Sequence, residues 1–126
     1  GITNLMGARV RATRENVSPV MTFLSRRGRM FYDDGSAASS RAAEAAGVAG
    51  TAFVQGAFTI DTIANPADID RALSNLEMRA RSDGRAAATA TLLPATVERL
   101  ANWAKGLSSR GFVLVPASAI VAEAKQ

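Results

Sequence analysis

The sequence contains neither cysteine nor histidine. Without cysteine, both a disulfide framework and a cysteine-based zinc site are excluded. Without histidine, the chain lacks the commonest general base and the commonest metal ligand of proteins. Any catalysis by these residues would therefore depend on Asp, Glu, Lys, Ser, Thr or Tyr.

Long apolar runs are also missing. No window approaches the roughly 20 apolar residues of a membrane-spanning helix, and no secretory signal pattern is present, so we expect no membrane span. The lack of cysteine suits an oxidising compartment and the cytoplasm equally. With 126 residues, 48% of them hydrophobic, the chain fits a single domain over 1–126. Because it begins with Gly1 rather than Met, we also expect it to be cut from the interior of a longer polypeptide.

The net charge of +4 comes mostly from arginines scattered along the chain. A solvated basic surface is favoured over a nucleic-acid site, because no aromatic pattern suited to stacking on bases accompanies the arginines. We therefore expect no nucleic-acid partner. One alternative function remains, a non-catalytic basic module that binds an anionic polymer or a protein partner. Its binding residues would be Arg9, Arg11, Arg26, Arg27 and Arg29.

Short strands alternate with helices along the chain, which indicates an α/β fold with a parallel sheet and crossover helices. Strands are predicted at 29–33, 51–54, 85–94 and 112–115. Helices are predicted from Thr13, over 37–46, from Asn65 and Pro66, from Pro94, and over 116–124. The run without charge after Arg85 predicts a strand covered on both faces, with any ligand site near 91–95, where that strand meets a helix.

Two segments repeat one pattern at the end of a predicted helix. Leu24-Ser-Arg-Arg-Gly28 and Leu107-Ser-Ser-Arg-Gly111 each precede a predicted strand, as expected when a glycine closes a helix and leads directly into a sheet. About four strands are visible, fewer than the roughly eight of a closed barrel. Since open sheet edges are usually covered or paired, we expect a partner segment to complete the sheet, either upstream in the same protein or from another copy.

Five segments, in order, are similar to the landmarks of one protein family: Gly1–Ala8, Leu24–Asp33, Phe58–Asp61, Ala90–Thr96 and Arg110–Ser118. The first is similar to a Gly-[Val/Ile]-x-Asn-His-Met-Gly-Ser run, and the fourth falls where that family has Gly-His-Pro-x-Pro-x-Thr. The second has the form helix-Arg-Gly-strand-Asp, the third resembles Phe-Leu-Asp, and the fifth fits the family's ending. In this order of landmarks the chain resembles the C-terminal part of the divergent polysaccharide deacetylases.

The resemblance implies part of an irregular (β/α) barrel and a role in the metabolism of cell-envelope glycans, with a periplasmic or cell-envelope location and a glycan as partner. Related deacetylases hold a divalent metal with one Asp and two His. Here the two motif histidines are replaced by Leu5 and Thr91, and a threonine hydroxyl is a poor ligand for a transition metal. We therefore expect no bound metal or cofactor and no intact deacetylase site.

Four polar residues remain at positions matched to the family. Asp33 and Asp61 are the candidate catalytic residues, and Asn4 and Thr91 are the candidate substrate-binding residues. Two neighbouring carboxylates can bind a hard cation or share a proton. The alternative, which we favour because turns between strands and helices recruit aspartate, is that Asp33 and Asp34 cap the following helix while Asp61 accepts loop amides.

Three functions are consistent with these residues. The first is a degenerate deacetylase-like protein that keeps the fold and a glycan-facing groove. The second is an active hydrolase in which Asp33, Asp61 and an upstream Asp form an altered metal site. The third is the basic module that binds an anionic polymer or a protein partner.

Overall fold

The computed structural model describes residues 1–4 and 7–121, which form two compact units. The first unit contains Gly1–Gly56 and the segment from Ala117, and the second contains Ala57–Pro116. Each unit has its own apolar core. Among the described helices, none combines the length and the apolar character needed to cross a membrane.

The first unit is built on a three-stranded parallel sheet, which confirms the predicted α/β class. Its strands are β1 (Ile2–Thr3), β2 (Met30–Asp33) and β3 (Ala52–Gln55), in the order β1-β2-β3. Its helices are α1 (Ala8–Arg11), α2 (Arg14–Arg26) and α3 (Ala42–Ala49). Within the described residues this sheet is not closed. The parallel sheet with crossover helices is therefore present, and closure into a barrel stays a prediction.

The core of the first unit lies where α2 and α3 pack together with the sheet. Helix α2 buries Val17, Met21 and Leu24, whose spacing places them on one face of the helix. These side chains share one apolar cluster with the alanines of α3 and with Phe31 and Phe53 of neighbouring strands, whose ring planes lie 3° from parallel with centroids 6.2 Å apart. Small alanine side chains leave room for the larger residues of α2.

Helix α3 begins at Ala42 and not at residue 37 as predicted. The alanine-rich composition suggested an earlier start, but the side-chain oxygen of Ser40 accepts a hydrogen bond from the Ala42 N–H at 3.2 Å. The preceding serines and aspartates bind one another in a turn, and such local side-chain bonds compete with helix formation. The prediction for the start of this helix was wrong for that reason.

The second unit pairs two helices, α4 (Pro66–Asp83) and α5 (Pro94–Lys105), over a small apolar core. Ile60, Ile69 and Leu73 are its buried residues, and Trp103 packs against them. Both helices begin with a proline in the first turn, as the sequence indicated. Local start signals were therefore sufficient to locate both helices.

The segment 85–94 is not the buried strand that its composition suggested. Its middle pairs with residues 57–60 through three backbone hydrogen bonds and a parallel bridge between Thr59 and Thr89, but the pairing does not extend into a strand, and residues 91–94 are exposed. The extended path is interrupted at Leu92, whose φ of +60° lies in the left-handed region. The alanines before it carry too little side-chain surface to stabilise a central strand by burial, so this prediction was wrong.

The segment 112–115 is likewise not a strand. Val113 and Leu114 are 83% and 68% exposed, so residues with high β propensity lie uncovered. A strand requires a partner edge, and propensity alone does not supply one. The predicted terminal helix over 116–124 is a 3-10 turn over Ala117–Ile120, and the part of that prediction from residue 122 onward lies outside the described residues.

The repeated Leu-to-Gly pattern has the same hydrogen bonding at both sites. The Arg29 N–H donates to the Leu24 carbonyl at 2.9 Å, and the Phe112 N–H donates to the Leu107 carbonyl at 3.0 Å. Gly28 and Gly111 have φ of +60° and +85°, the left-handed conformation that closes a Schellman motif and favours glycine. The predicted closure by glycine followed by a strand is therefore confirmed at Gly28, whereas Gly111 closes a 3-10 helix over Ser108–Arg110 and no strand follows it.

Replacing Asn65 with alanine is expected to lower the free energy of unfolding by about 1 kcal/mol. The side-chain oxygen of Asn65 accepts hydrogen bonds from the N–H groups of Ala67 at 3.0 Å and Asp68 at 3.2 Å, and alanine leaves those donors to water. Urea denaturation measures the change. Asn65→Ser preserves an acceptor and should stay near the parent protein, whereas equal losses in both variants would contradict a capping role.

Candidate functional site

Asp33 is the last residue of β2, and its side chain is fully buried. One carboxylate oxygen, Oδ1, accepts hydrogen bonds from Arg11 Nη1 at 2.7 Å and from the Gly35 N–H at 2.9 Å. The other, Oδ2, accepts from the Ser40 hydroxyl at 2.7 Å. Protein donors therefore surround both oxygens. We call Arg11, Asp33, Asp34, Ser36 and Ser40 the Asp33 network.

Arg11, at the end of α1, supplies the positive charge of this network. Its side chain is only 3% exposed. Besides Asp33, its guanidinium donates to Asp34 Oδ1 at 3.2 Å and to the Ser36 hydroxyl at 3.0 Å. Its inclusion among the solvated surface arginines was wrong, because it forms a buried ion pair. No sequence pattern marked Arg11, since its partner lies 22 residues away on another element.

Asn4 lies at the same sheet edge as Asp33 and Asp34. The parallel register of β1 and β2 places Thr3 opposite Tyr32, so Asn4, the residue after β1, lies beside the end of β2. The Asn4 side-chain oxygen accepts a hydrogen bond from the Asp34 N–H at 3.0 Å. The pKa of Asp34 is affected first by burial, which raises it, but hydrogen bonds from Ser36, the contact with Asn4 and the charge of Arg11 bring it below its ordinary value.

The ends of β2 and β3 approach closely beside this network. The Gly56 N–H donates to the Asp33 carbonyl at 2.7 Å. A Cβ at Gly35, whose φ is +76°, would lie 2.3 Å from the Gly56 carbonyl oxygen, and a Cβ at Gly56 would lie 2.3 Å from the Tyr32 hydroxyl oxygen. Two glycines are therefore required here, because backbone and the Tyr32 side chain fill the space between the two strand ends.

Asp61 lies in the second unit and is 4% exposed. It accepts hydrogen bonds from the Thr91 N–H at 2.9 Å, from the Thr91 hydroxyl at 2.8 Å and from the Thr96 hydroxyl at 2.7 Å. We call Asp61, Thr91 and Thr96 the Asp61 network. Burial acts to raise the pKa of Asp61, but the bonds from Thr96 and Thr91 outweigh it and hold that pKa below the ordinary value. The carboxylate therefore stays ionised at neutral pH.

Thr96 is a member of this network that the sequence did not single out. Its side chain is completely buried in the first turn of α5. The positive φ of Leu92 turns the chain between Thr91 and this helix, and a non-glycine residue in that conformation costs of order 1–3 kcal/mol. The bonds of both threonines to Asp61 offset that cost. A signal was present, since Thr96 ends the motif that resembles Gly-His-Pro-x-Pro-x-Thr.

Each unit therefore brings together one pair of the predicted site residues: Asn4 with Asp33 in the first, and Thr91 with Asp61 in the second. The bond from the Thr91 N–H matches the predicted role of Asp61 as an acceptor for loop amides. Asp33 and Asp34 do not cap α3 as predicted, because the N-cap residue of that helix is Arg41 and no side chain caps it. The two aspartates stabilise the turn that follows β2 instead. Leu5 lies outside the described residues.

Neither network is suited to a metal ion. Among residues 1–4 and 7–121, no group of three or more Asp, Glu, His or Cys side chains could hold one. The oxygens of Asp33 already contact a guanidinium, and those of Asp61 already accept N–H and hydroxyl donors. A divalent ion needs several unprotonated oxygen or nitrogen ligands directed at one point. The residues present do not fit such an ion.

Comparisons with known proteins give a family and a structural relative. A profile of the family described as divergent polysaccharide deacetylase matches residues 1–121. No curated protein matches the chain. The chain is similar to the crystal structure of an uncharacterized protein from Agrobacterium tumefaciens C58, with a TM-score of 0.93 and 30% sequence identity. The match covers 96% of this chain and 49% of the other, so the chain spans about half the length of that protein.

Proposed function

Because this chain belongs to the divergent polysaccharide deacetylase family, we propose that it acts in cell-envelope glycan metabolism without performing metal-dependent deacetylation through its own residues. Membership of the family, expected from the ordered motifs, supports a carbohydrate-related function. The finer proposal depends on the chemistry of the two aspartate networks. It concerns these 126 residues, which cover about half the length of the structural relative.

The observation that carries the proposal is the ion pair between Arg11 and Asp33. A guanidinium keeps its charge in proteins and matches the geometry of a carboxylate. With Arg11 Nη1 at 2.7 Å from Asp33 Oδ1, a divalent cation on the same oxygen would meet a positive charge at contact distance, where repulsion in a buried site is large. Removing Arg11 to make room would leave the buried Asp33 carboxylate without a neutralising charge, which is strongly destabilising. Arg11 thus takes the place that a metal cation would need.

Asp61 is equally unsuited to proton transfer. A general base works best when its pKa lies near the operating pH, whereas the pKa of Asp61 is lowered from an already acidic value. Its oxygens accept three donors from Thr91 and Thr96. A substrate proton would have to displace one of those bonds. The catalytic roles predicted for Asp33 and Asp61 therefore give way, in this proposal, to structural ones.

The proposal includes the partners predicted from the sequence. The open sheet of the first unit and the exposed segment 113–115 with its high β propensity each offer backbone groups to further strands. We propose that an upstream segment or another copy completes a barrel of the deacetylase type. A glycan partner and a periplasmic or cell-envelope location belong to the same proposal and are supported by family membership.

The basic-module alternative is less well supported. Arg11 is buried and paired, so it cannot contribute to a surface for an anionic polymer. Arg27 lies over the Phe23 ring, with its guanidinium carbon 4.9 Å from the ring centroid. Arg27 and the other arginines of this set, Arg9, Arg26 and Arg29, are exposed. Exposed cations make a weak anion site, since salt screens each surface contact at physiological ionic strength.

Metal analysis and an acetate-release assay test the proposed function. Intact protein, incubated with excess zinc and passed over a desalting column, is expected to retain less than about 0.1 metal ion per chain. It should release no acetate from an N-acetylated glycan. Stoichiometric metal with acetate release that disappears in Asp33→Ala and Asp61→Ala would establish the altered active site instead. Asp83→Ala, at an exposed aspartate, is the control.

A further inference from the structure

An open groove runs between α4 and α5 in the second unit. Its volume is about 410 Å³, within the roughly 300–1,000 Å³ typical of small-ligand sites. Side chains of both helices line it together with Arg110. None of them belongs to the Asp61 network, so the groove is a separate feature of the unit.

Two ion pairs flank the groove and give its lining no net charge. Arg99 donates two hydrogen bonds to Asp70, and its Nε lies 2.7 Å from Asp70 Oδ1. Arg110 donates hydrogen bonds to Glu77 Oε1 from Nη2 at 2.6 Å and from Nε at 3.0 Å. Hydrogen bonds from these arginines lower the pKa of both carboxyl groups. The groove therefore presents fixed, paired planar groups whose charges cancel.

Trp103 supplies the apolar part of the groove. Its indole N–H donates to Glu77 Oε1 at 2.8 Å, which fixes the ring, and the side chain packs against the apolar core of the unit. Ser74 and Asn102 lie in the lining on exposed helix positions and add a hydroxyl and an amide. An amphipathic aromatic ring surrounded by oriented donors and acceptors suits a ligand with both apolar faces and hydroxyl edges.

We propose that this groove between α4 and α5 binds a short, neutral saccharide. A free anion is disfavoured because both arginines are already neutralised by carboxylates, and a purely apolar ligand would leave charged groups without solvent. A sugar ring offers C–H faces to Trp103 and hydroxyl groups to Asn102, Asp70 and Arg99. The inference rests on the proposed function only for the class of ligand, since the groove shares no residue with either aspartate network.

Calorimetric titration of the intact protein with tetra-N-acetylchitotetraose tests the groove. Saturable binding is expected, with Asn102→Ala weakening it at least about tenfold, a loss of about 1.4 kcal/mol. Asn75→Ala is the matched control. Like Asn102, Asn75 is an exposed asparagine, but it lies on α4 and outside the lining of the groove. The Trp103 indole N–H resonance should shift on addition of the tetrasaccharide.

Three outcomes would overturn the proposal: no saturable binding, equal weakening by Asn75→Ala, or binding of only a sulfated tetrasaccharide. The affinity for the neutral probe should change less than about twofold between 50 and 500 mM NaCl, because no counterion is released. Metal content and acetate release are not read out in this titration. Absence of saccharide binding would therefore not contradict the proposed function. Metal binding with acetate release would not contradict saccharide binding in the groove.

Discussion

Replacing Arg11 with alanine is expected to lower the free energy of unfolding by about 3–5 kcal/mol, the largest effect of any single change proposed here. The change leaves Asp33, which is fully buried, without its cation. It also removes the donors to Asp34 and Ser36. Urea denaturation monitored by circular dichroism measures the loss.

Two companion variants make this result interpretable. Arg9→Ala removes an exposed arginine of the same helix and should change the free energy of unfolding by less than about 0.5 kcal/mol. Arg11→Lys keeps the charge but loses the planar fork, so it should lie between the two; it remains measurable even where Arg11→Ala does not fold. If the free energy of unfolding of Arg11→Ala lay within about 1 kcal/mol of the parent value, the change would resemble a surface substitution. That result would contradict the buried ion pair.

Replacing Asp61 with asparagine is expected to cost about 3 kcal/mol at pH 7, because bonds to a charged acceptor contribute roughly 1.5–3 kcal/mol each. The hydroxyl groups of Thr91 and Thr96 both donate to one carboxylate oxygen, and the Thr91 N–H contacts both oxygens. Asparagine keeps one acceptor oxygen, now uncharged, and replaces the other with an NH2 group that would face the Thr91 N–H. Asp83→Asn, at a position 57% exposed, is the chemical control and should change little.

The cost of Asp61→Asn is expected to depend on pH with a defined sign. Because the pKa of Asp61 is lower in the folded chain than in the unfolded one, its contribution to stability is present above the unfolded value of about 4 and is lost as pH falls through the folded value. The difference between parent and variant should therefore shrink below about pH 4. A difference that stays constant from pH 7 to pH 2.5 would rule out a stabilising carboxylate.

The parts of the fold that the sequence predicted correctly depend on neighbouring residues. Asn65 caps α4 through N–H groups two and three residues away, and Gly28 and Gly111 close their turns by backbone conformation. Such signals act over one helical turn, so they are readable without tertiary structure. The order of β2, α3 and β3 followed from the same local evidence and was confirmed as a parallel sheet.

The errors arose where a segment needs a distant partner. The segments 85–94 and 112–115 have the composition of strands, but strand formation requires a paired edge. Backbone pairing is confined to residues 87–89, which lie beside 57–60. Alanine content likewise placed α3 too early, because the turn that delays it is held by Asp33 and Ser40. In these segments composition indicated a preference, and the available partners determined the outcome.

By itself the sequence determined the family, the alternation of helices and parallel strands, and the absence of imidazole and thiol ligands, because these depend on residue identity and short-range order. Only the tertiary structure decided what the remaining carboxylates do. Arg11 meets Asp33 from 22 residues away, and Thr96 meets Asp61 from 35 residues away. Pairings over such distances are set by how the elements pack, and no spacing along the chain encodes them.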